Sequence, residues 1–287
     1  MISTVTVVYE PEIQLLKTHA QSFDLYMSRD AVETILVVDN GEEKLDIDPA
    51  WWGKLSDKVV VVNREQIGYK SKPTINGRET QQICKILGSV YTNSEWSLWF
   101  DAKTFLVRPF ELSEFFVDGK FTSTSWPVFS QFSDGFKNVK QLLDLELPEE
   151  RWLAPGGVPH PVNLTILQSM LNYITITTKR SFVDWFEEYS QYPHFATELL
   201  LYGMFCFYTN LFHVYYTDTQ PIFQTINLAD WQLDTEDEKA FWLNINKTST
   251  LTASIKDDAY NLLSIEKRQQ WDKFLNRKGL QYDHKGR

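Results

Sequence analysis

Three short apolar runs in the first quarter of the chain, "TVTVVY" at 4–9, "ETILVVDN" at 33–40 and "KVVVVN" at 58–63, are rich in β-branched residues and too short to be buried helices. They are predicted to be strands. An amphipathic stretch from Pro11 to about Ser28 lies between the first two. A helical stretch from about Gly77 to Leu87 follows the third, with Gly88 placed to terminate it. "WSLWFDAKTFLV", from Trp96 to Val107, reads as one further buried strand that carries Asp101 and Lys103. Strands that alternate with helices indicate βαβ units, hence an α/β fold with a mostly parallel central sheet flanked by helices.

Beyond residue 120 the pattern is less regular. "KFTSTSWPVF" at 120–129 reads as a strand, and a Pro/Gly-rich loop with Trp152, Gly156, Gly157 and His160 passes into a helix that starts near Leu164. Long loops of this kind close over sites. Residues 181–192 predict a short amphipathic helix, and 194–211 a more buried one with Thr197 as its cap and Glu198 in its first turn. From Trp231 the composition turns acidic, with "TSTLTASIK" as a strand candidate and "SIEKRQQWDKFLNRKG" as a charged helix. The expected organisation is a main domain over 1–230 and a small helical C-terminal appendage over 231–287, packed on it.

Composition narrows the function classes. A formal net charge of −10 argues against a general nucleic-acid binder or a protein of anionic membranes, since either needs a clustered positive face. Cys84 and Cys206 are the only cysteines, sit in apolar stretches without metal-ligand spacing, and read as reduced core residues. No basic leader with a cleavage site is visible and no apolar run approaches about 18 residues, so a cytoplasmic protein without a membrane span is expected, in the host cytoplasm if the chain is viral. The sequons at Asn163 and Asn246 matter only in a secretory compartment. With 10 Trp, 13 Tyr and 19 Phe, aromatics exceed what a core usually needs, so Trp126 and Trp152 have two readings, core anchors or platforms for a sugar face.

In open α/β sheets ligands bind outside the carboxyl ends of the strands, which places Glu10, Asp39 and Asn40 on the ligand rim. Asp39, followed by Asn-Gly, is equally good turn chemistry. An acidic strand end such as Asp101 suits a nucleotide-diphosphate site in which a cation balances the phosphates. The surroundings add specificity. "RETQQICKILGSVYTNSEWSLWFDAKTFLVRPF" (78–110), "HPVNLTILQSML" (160–171) and "FATELLLYGMF" (195–205) resemble, in order and spacing over roughly residues 1–215, a family of GT-A-like glycosyltransferases of bacteria and their viruses. That family has a Gln-Gln-x-x-Lys helix before a strand running into Asp-Ser-Asp and then Arg-Pro-Phe, and a Phe-Ser-Glu-x-x-Leu-Tyr-Gly motif in which Thr197 here replaces Ser.

The resemblance implies a Rossmann-like GT-A fold and a hexose carried from a nucleotide sugar, UDP-type by expectation, to a glycan, lipid-linked or protein acceptor. Val8, Tyr9, Glu10 and Asp39 become candidates for base and ribose contacts. Arg78, Gln81, Gln82 and Lys85 become candidates for phosphate or donor sugar, against the plainer reading of a solvated helix face. His160 and His194 are candidates for sugar hydroxyls, or structural. The family's two aspartates hold Mn²⁺ or Mg²⁺, and here "DAK" departs, with Lys103 in the second position. Residues two apart on a strand face the same side, so Lys103 would offset part of the diphosphate charge and repel a dication. Asp101 is left as a metal ligand with one other group such as His213, as the partner of Lys103, or as a holder of ribose hydroxyls. Glu198 is the candidate base, or only an element of a capping box. A non-catalytic nucleotide-sugar or carbohydrate-binding protein is the alternative. A nucleotidyltransferase fits least, because paired metal-binding carboxylates and a phosphate loop are both missing from the sequence.

Overall fold

The computed structural model describes residues 2–70, 77–123, 125–127, 133–147, 151–153, 159–190, 196–219, 224–228, 233, 236–245, 247, 250–255 and 257–281. Strand β1 (Ile2–Val8) is buried along its whole length, and a single 3₁₀ turn at Glu10–Glu12, with Pro11 in its first turn, leads into α1 (Ile13–Tyr26). Next come β2 (Val32–Asp39), a 3₁₀ stretch at Pro49–Lys58, β3 (Val59–Asn63), α2 (Gly77–Thr92) and β4 (Trp96–Asp101). β1 pairs in parallel with both β2 and β4, and β2 with β3. The sheet's interior strands are covered on both faces, which explains their unbroken apolar runs.

Two sequence expectations are corrected here. Helix α2 does not stop at Gly88 but passes through it to Thr92. A Cβ at that position would sit 3.0 Å from Val5 Cγ1 and 3.1 Å from Leu36 Cδ2, so the glycine serves close packing of the helix on the sheet. The Trp96–Val107 run is two elements instead of one strand. After Asp101 the chain turns, with the Thr104 amide donating to the Asp101 carbonyl at 2.9 Å. β5 (Phe105–Leu106) then leaves for a different sheet.

The chain continues through β6 (Phe116–Val117), β7 (Lys120–Ser123), β8 (Ser125–Pro127), α3 (Ser133–Leu142), β9 (Arg151–Leu153) and β10 (His160–Asn163). β10 adds to β4 in antiparallel fashion, giving the order β10-β4-β1-β2-β3. Asn163 ends that strand and caps α4 (Leu164–Thr178), its side chain accepting from the Thr165 amide at 3.0 Å. α5 (Phe182–Tyr189), α6 (Glu198–Tyr208), α7 (Phe212–Tyr215) and β11 (Tyr216–Asp218) complete the main body. A buried hydroxyl chain ties β10 to it: the Asn163 amide donates to Tyr202 Oη (2.7 Å), which meets Tyr216 Oη (2.6 Å), which donates to the Pro161 carbonyl (3.0 Å).

The last elements are β12 (Gln224–Leu228), α8 (Glu236–Asn244), β13 (Thr250–Ile255), α9 (Asp257–Leu262) and α10 (Ile265–Arg277). They surround a second core of Ile226, Leu228, Phe241, Trp271, Phe274 and neighbours, and that core also takes in Phe105 and Val107. β5 joins this unit by pairing antiparallel with β13. Thr18 and Tyr26 of α1 donate to the carbonyls of Gln281 and Lys278, both at 2.9 Å, so the unit is bound to the main body from two sides. Cys84 and Cys206 are free and buried. Among the described residues no helix is long and apolar enough to cross a membrane.

Candidate active site

The carboxyl ends of the parallel strands form one rim. Register pairs Val7 with Asp101, Val8 with Asp39 and Asp39 with Asn63, so four strand ends line up across about 14 Å at the usual interstrand spacing. At one end of this row lies a buried charged cluster, and at the other an open crevice.

The cluster is assembled by four elements. β4 delivers Asp101 and α2 delivers Gln82 and Lys85 from successive turns. α6 begins at Glu198, with Thr197 capping it by accepting from the Leu200 amide at 3.2 Å, as its sequence predicts. β10 begins at His160, directly across from Trp99. Lys85 Nζ donates to Asp101 Oδ1 at 2.7 Å and lies 3.7 Å from Glu198 Oε1. Lys103 Nζ lies 3.3 Å from Asp101 Oδ2. The Asp101–Lys103 pairing expected from a strand therefore exists, but a turn creates it. The Glu198 amide donates to Gln82 Oε1 at 3.2 Å, so Gln82 positions the helix end that carries the carboxylate.

Burial and charge set the protonation states. Burial alone would raise the Asp101 carboxyl, but the ammoniums of Lys85 and Lys103 hold it well below the usual carboxylate range. Burial works against the charge of Lys85, and Asp101 and Glu198 outweigh it, pushing that amine up to about 12. Glu198 is pushed up by burial, with Lys85 opposing. The helix-start field, which predicts an ionised Glu198, is thus not the largest influence on it. Burial takes the His160 imidazole down to about 3, so it is neutral at pH 7, and among the described residues neither ring nitrogen has a hydrogen-bond partner.

The crevice, about 680 Å³, opens at the ends of β2 and β3, lined by Asp39, Lys44, Asn63, Arg64 and Gln66 among others. Asp39 accepts from the Gly41 and Leu45 amides, both at 2.9 Å, so its carboxylate organises the loop that walls the crevice. Arg64 donates to Asn40 Oδ1 at 3.4 Å and Asn40 donates to Thr80 Oγ1 on α2 at 2.8 Å, which joins the crevice wall to the helix that carries Lys85.

The other predicted residues are distributed as follows. Val8 is fully buried and offers only its carbonyl, which accepts from Asn40 N at 2.8 Å. Tyr9, Glu10 and Arg78 are exposed on the rim, and Gln81 is half-buried on α2. His213 is not brought to Asp101: it sits in α7, whose Tyr215, with the following Tyr216, packs on Trp96 at the far end of β4, about 17 Å of strand away. His194, Gly156 and Gly157 lie outside the described residues, as do the side chains of Trp126 and Trp152. Two contributors escaped the sequence reading. Arg64 directly follows the end of β3 at Asn63, so the same strand-end rule that finds Asn40 after β2 finds it. Glu12, one of the groups whose charge raises Lys85, follows β1 by a turn that only the fold brings back.

Both oxygens of Asp101 face ammonium nitrogens, and among the described residues no three His, Cys, Asp or Glu side chains gather as a metal-holding group. The cluster does not fit a divalent cation as it stands.

A family model matches residues 2–257, well past the roughly 215 residues over which the motifs resemble glycosyltransferases. The chain belongs to DUF6492, a family of unknown function. No functionally curated protein matches the sequence. Among solved structures it is similar to the galactosyltransferase LgtC in complex with donor and acceptor sugar analogues, at 12% identity over 99% of this chain and 98% of that one, with a TM-score of 0.48. It is also similar to the glycosyltransferase GlyE of Streptococcus pneumoniae, at 13% identity over 99% of this chain and 65% of that one, TM-score 0.45. Mouse xyloside xylosyltransferase 1 aligns at 12% identity over 90% and 99%, TM-score 0.45.

Proposed function

We propose that this DUF6492 protein is a glycosyltransferase that moves a hexose from a nucleotide-sugar donor, UDP-type, to a saccharide-type acceptor on a glycan, lipid or protein. The observation that carries the reading is the rim itself. A crevice of nucleoside size at the ends of β2 and β3 and a lysine-carboxylate cluster at the end of β4 share one row of strand ends, about 14 Å across. An extended nucleoside diphosphate sugar spans such a row, with its base in the crevice, its phosphates toward Lys103 and Lys85, and its sugar toward Glu198.

Glu198 suits the acceptor side of the reaction. A carboxyl whose proton affinity is raised toward the working pH takes the proton of an attacking hydroxyl with more driving force than an ordinary carboxylate. Asp101 holds the two lysines in place. The sequence motifs that resemble glycosyltransferases contribute four of these groups, Gln82, Lys85, Asp101 and Glu198.

A second reading, a binding protein without turnover, is favoured by one observation: Asp101 is fully engaged by lysines. Donor turnover separates the two. Incubation with a panel of nucleotide sugars, with and without candidate saccharide acceptors, is expected to release nucleoside diphosphate, and Glu198→Gln is expected to reduce that release by about 10²–10⁴-fold. Binding of UDP with no release from any donor would establish the second reading.

A further inference from the structure

We propose that the site balances the charge of a diphosphate with the ammonium pair of Lys85 and Lys103 and takes no divalent cation. This rests on the nucleotide-sugar reading above. The geometry behind it is the double engagement of Asp101, with Lys85 Nζ at 2.7 Å from one oxygen and Lys103 Nζ at 3.3 Å from the other. A dication on Asp101 would have to displace one ammonium and stand beside it. The two lysines already bring the two positive charges that a Mg²⁺ or Mn²⁺ ion would bring.

The lysines are placed unequally. Lys85 is buried and lies between two carboxylates, so it acts as a fixed charge behind the cluster. Lys103 is carried by the turn between β4 and β5, and among the described residues Asp101 is the acidic side chain it pairs with. An ammonium has three N–H donors, so Lys103 keeps donors for phosphate oxygens while it holds Asp101. A second, independent feature points to a ligand here. His160 is buried within electrostatic reach of Lys85, and among the described residues neither of its ring nitrogens finds a partner. Buried polar atoms are rarely left so unless something else supplies the bond.

Asp101 then has a role other than metal ligation: it sets the spacing of the two cations. Losing one charge-assisted contact to phosphate weakens binding by about 10- to 100-fold.

The test uses the full chain, with inorganic pyrophosphate as probe and isothermal titration calorimetry as readout. Pyrophosphate is expected to bind in excess EDTA, and Lys103→Ala to bind it about 10- to 100-fold more weakly while keeping the circular dichroism spectrum of the folded wild type. Lys103→Asp, which restores a pair of carboxylates, is expected to lose binding in EDTA. Binding by the wild type only when Mn²⁺ or Mg²⁺ is supplied would overturn the proposal, as would Mn²⁺ binding that Asp101→Asn abolishes. So would failure to bind pyrophosphate under any condition. The donor-turnover assay, run in parallel with EDTA and with Mn²⁺, keeps the two readings apart. Turnover that needs Mn²⁺ defeats the metal-free site and leaves the glycosyltransferase standing, whereas metal-free pyrophosphate binding without turnover of any donor supports the site and defeats the enzyme.

Discussion

Replacing Lys85 by methionine keeps the stem of the side chain and removes its charge. In the native protein that ammonium is 2.7 Å from Asp101 and 3.7 Å from Glu198, with the three side chains between 8% and 21% exposed. Breaking a buried pair by deleting one partner costs about 3–5 kcal/mol, because the remaining charge stays desolvated. Asp101 retains Lys103, which places the expected loss near the lower end, about 3 kcal/mol at pH 8. Glu198 adds a pH dependence with a definite sign. Burial already raises its folded-state affinity for a proton, and removal of Lys85 raises it further. A raised folded-state value means that the folded protein binds more protons than the unfolded chain, so the variant loses stability as pH rises. The deficit against wild type should therefore be larger at pH 8 than at pH 5. Adding Glu198→Gln to Lys85→Met should remove most of that pH dependence. Urea denaturation followed by fluorescence and circular dichroism measures these differences. A deficit under about 1 kcal/mol, or one equal at both pH values, would show that the three groups do not form the coupled buried cluster described above.

Acid stability tests the two buried histidines. Burial lowers His19 to about 4 and His160 to about 3, from 6.5 for both, so their contribution is present above pH 6.5 and is lost as pH falls toward 3. The expected slope between pH 6 and 4.5 is about 2 kcal/mol per pH unit, and His160→Gln should roughly halve it; an unchanged slope refutes the assignment. Tyr202→Phe breaks the hydroxyl chain that pins β10 and should cost about 1–3 kcal/mol in chemical denaturation, with Tyr216→Phe adding less than its own single cost. Gly88→Val should destabilise by about 1–3 kcal/mol through overpacking against Val5 and Leu36, whereas a helix-terminating role would predict little change on thermal melting. Burial raises both thiols, Cys84 to about 12, so neither cysteine should react with a thiol reagent at pH 8 until denaturant unfolds the chain.

What the sequence disclosed and what it hid follow from the range of the forces involved. The parallel strands were legible because burial on both faces writes an unbroken apolar run, and the cap Thr197 because its bond is local. Gly88 was misread because a glycine's reason for being small lies in Val5 and Leu36, far away in sequence. The Asp101–Lys103 pair was found for an incorrect reason: strand alternation predicted one face, and a turn supplied the contact. That Lys85 joins Asp101 to Glu198 could not be read from any window, since α2, β4 and α6 meet only in the folded chain. His213 fails as a partner of Asp101 for the same reason, the fold having set it at the opposite end of β4.

The departure of β5 from the strand that precedes it has a consequence for biosynthesis. Asp101 ends one sheet, Lys103 stands in the turn, and two residues later Phe105 is already pairing with Ala253 of the C-terminal unit. All five strands of the central sheet are complete by residue 163. On the ribosome the row of strand ends therefore takes shape early, while the Lys103 turn acquires its second anchor only after β13 has emerged. A chain released before residue 255 would present a largely formed sheet with its key lysine tethered at one end.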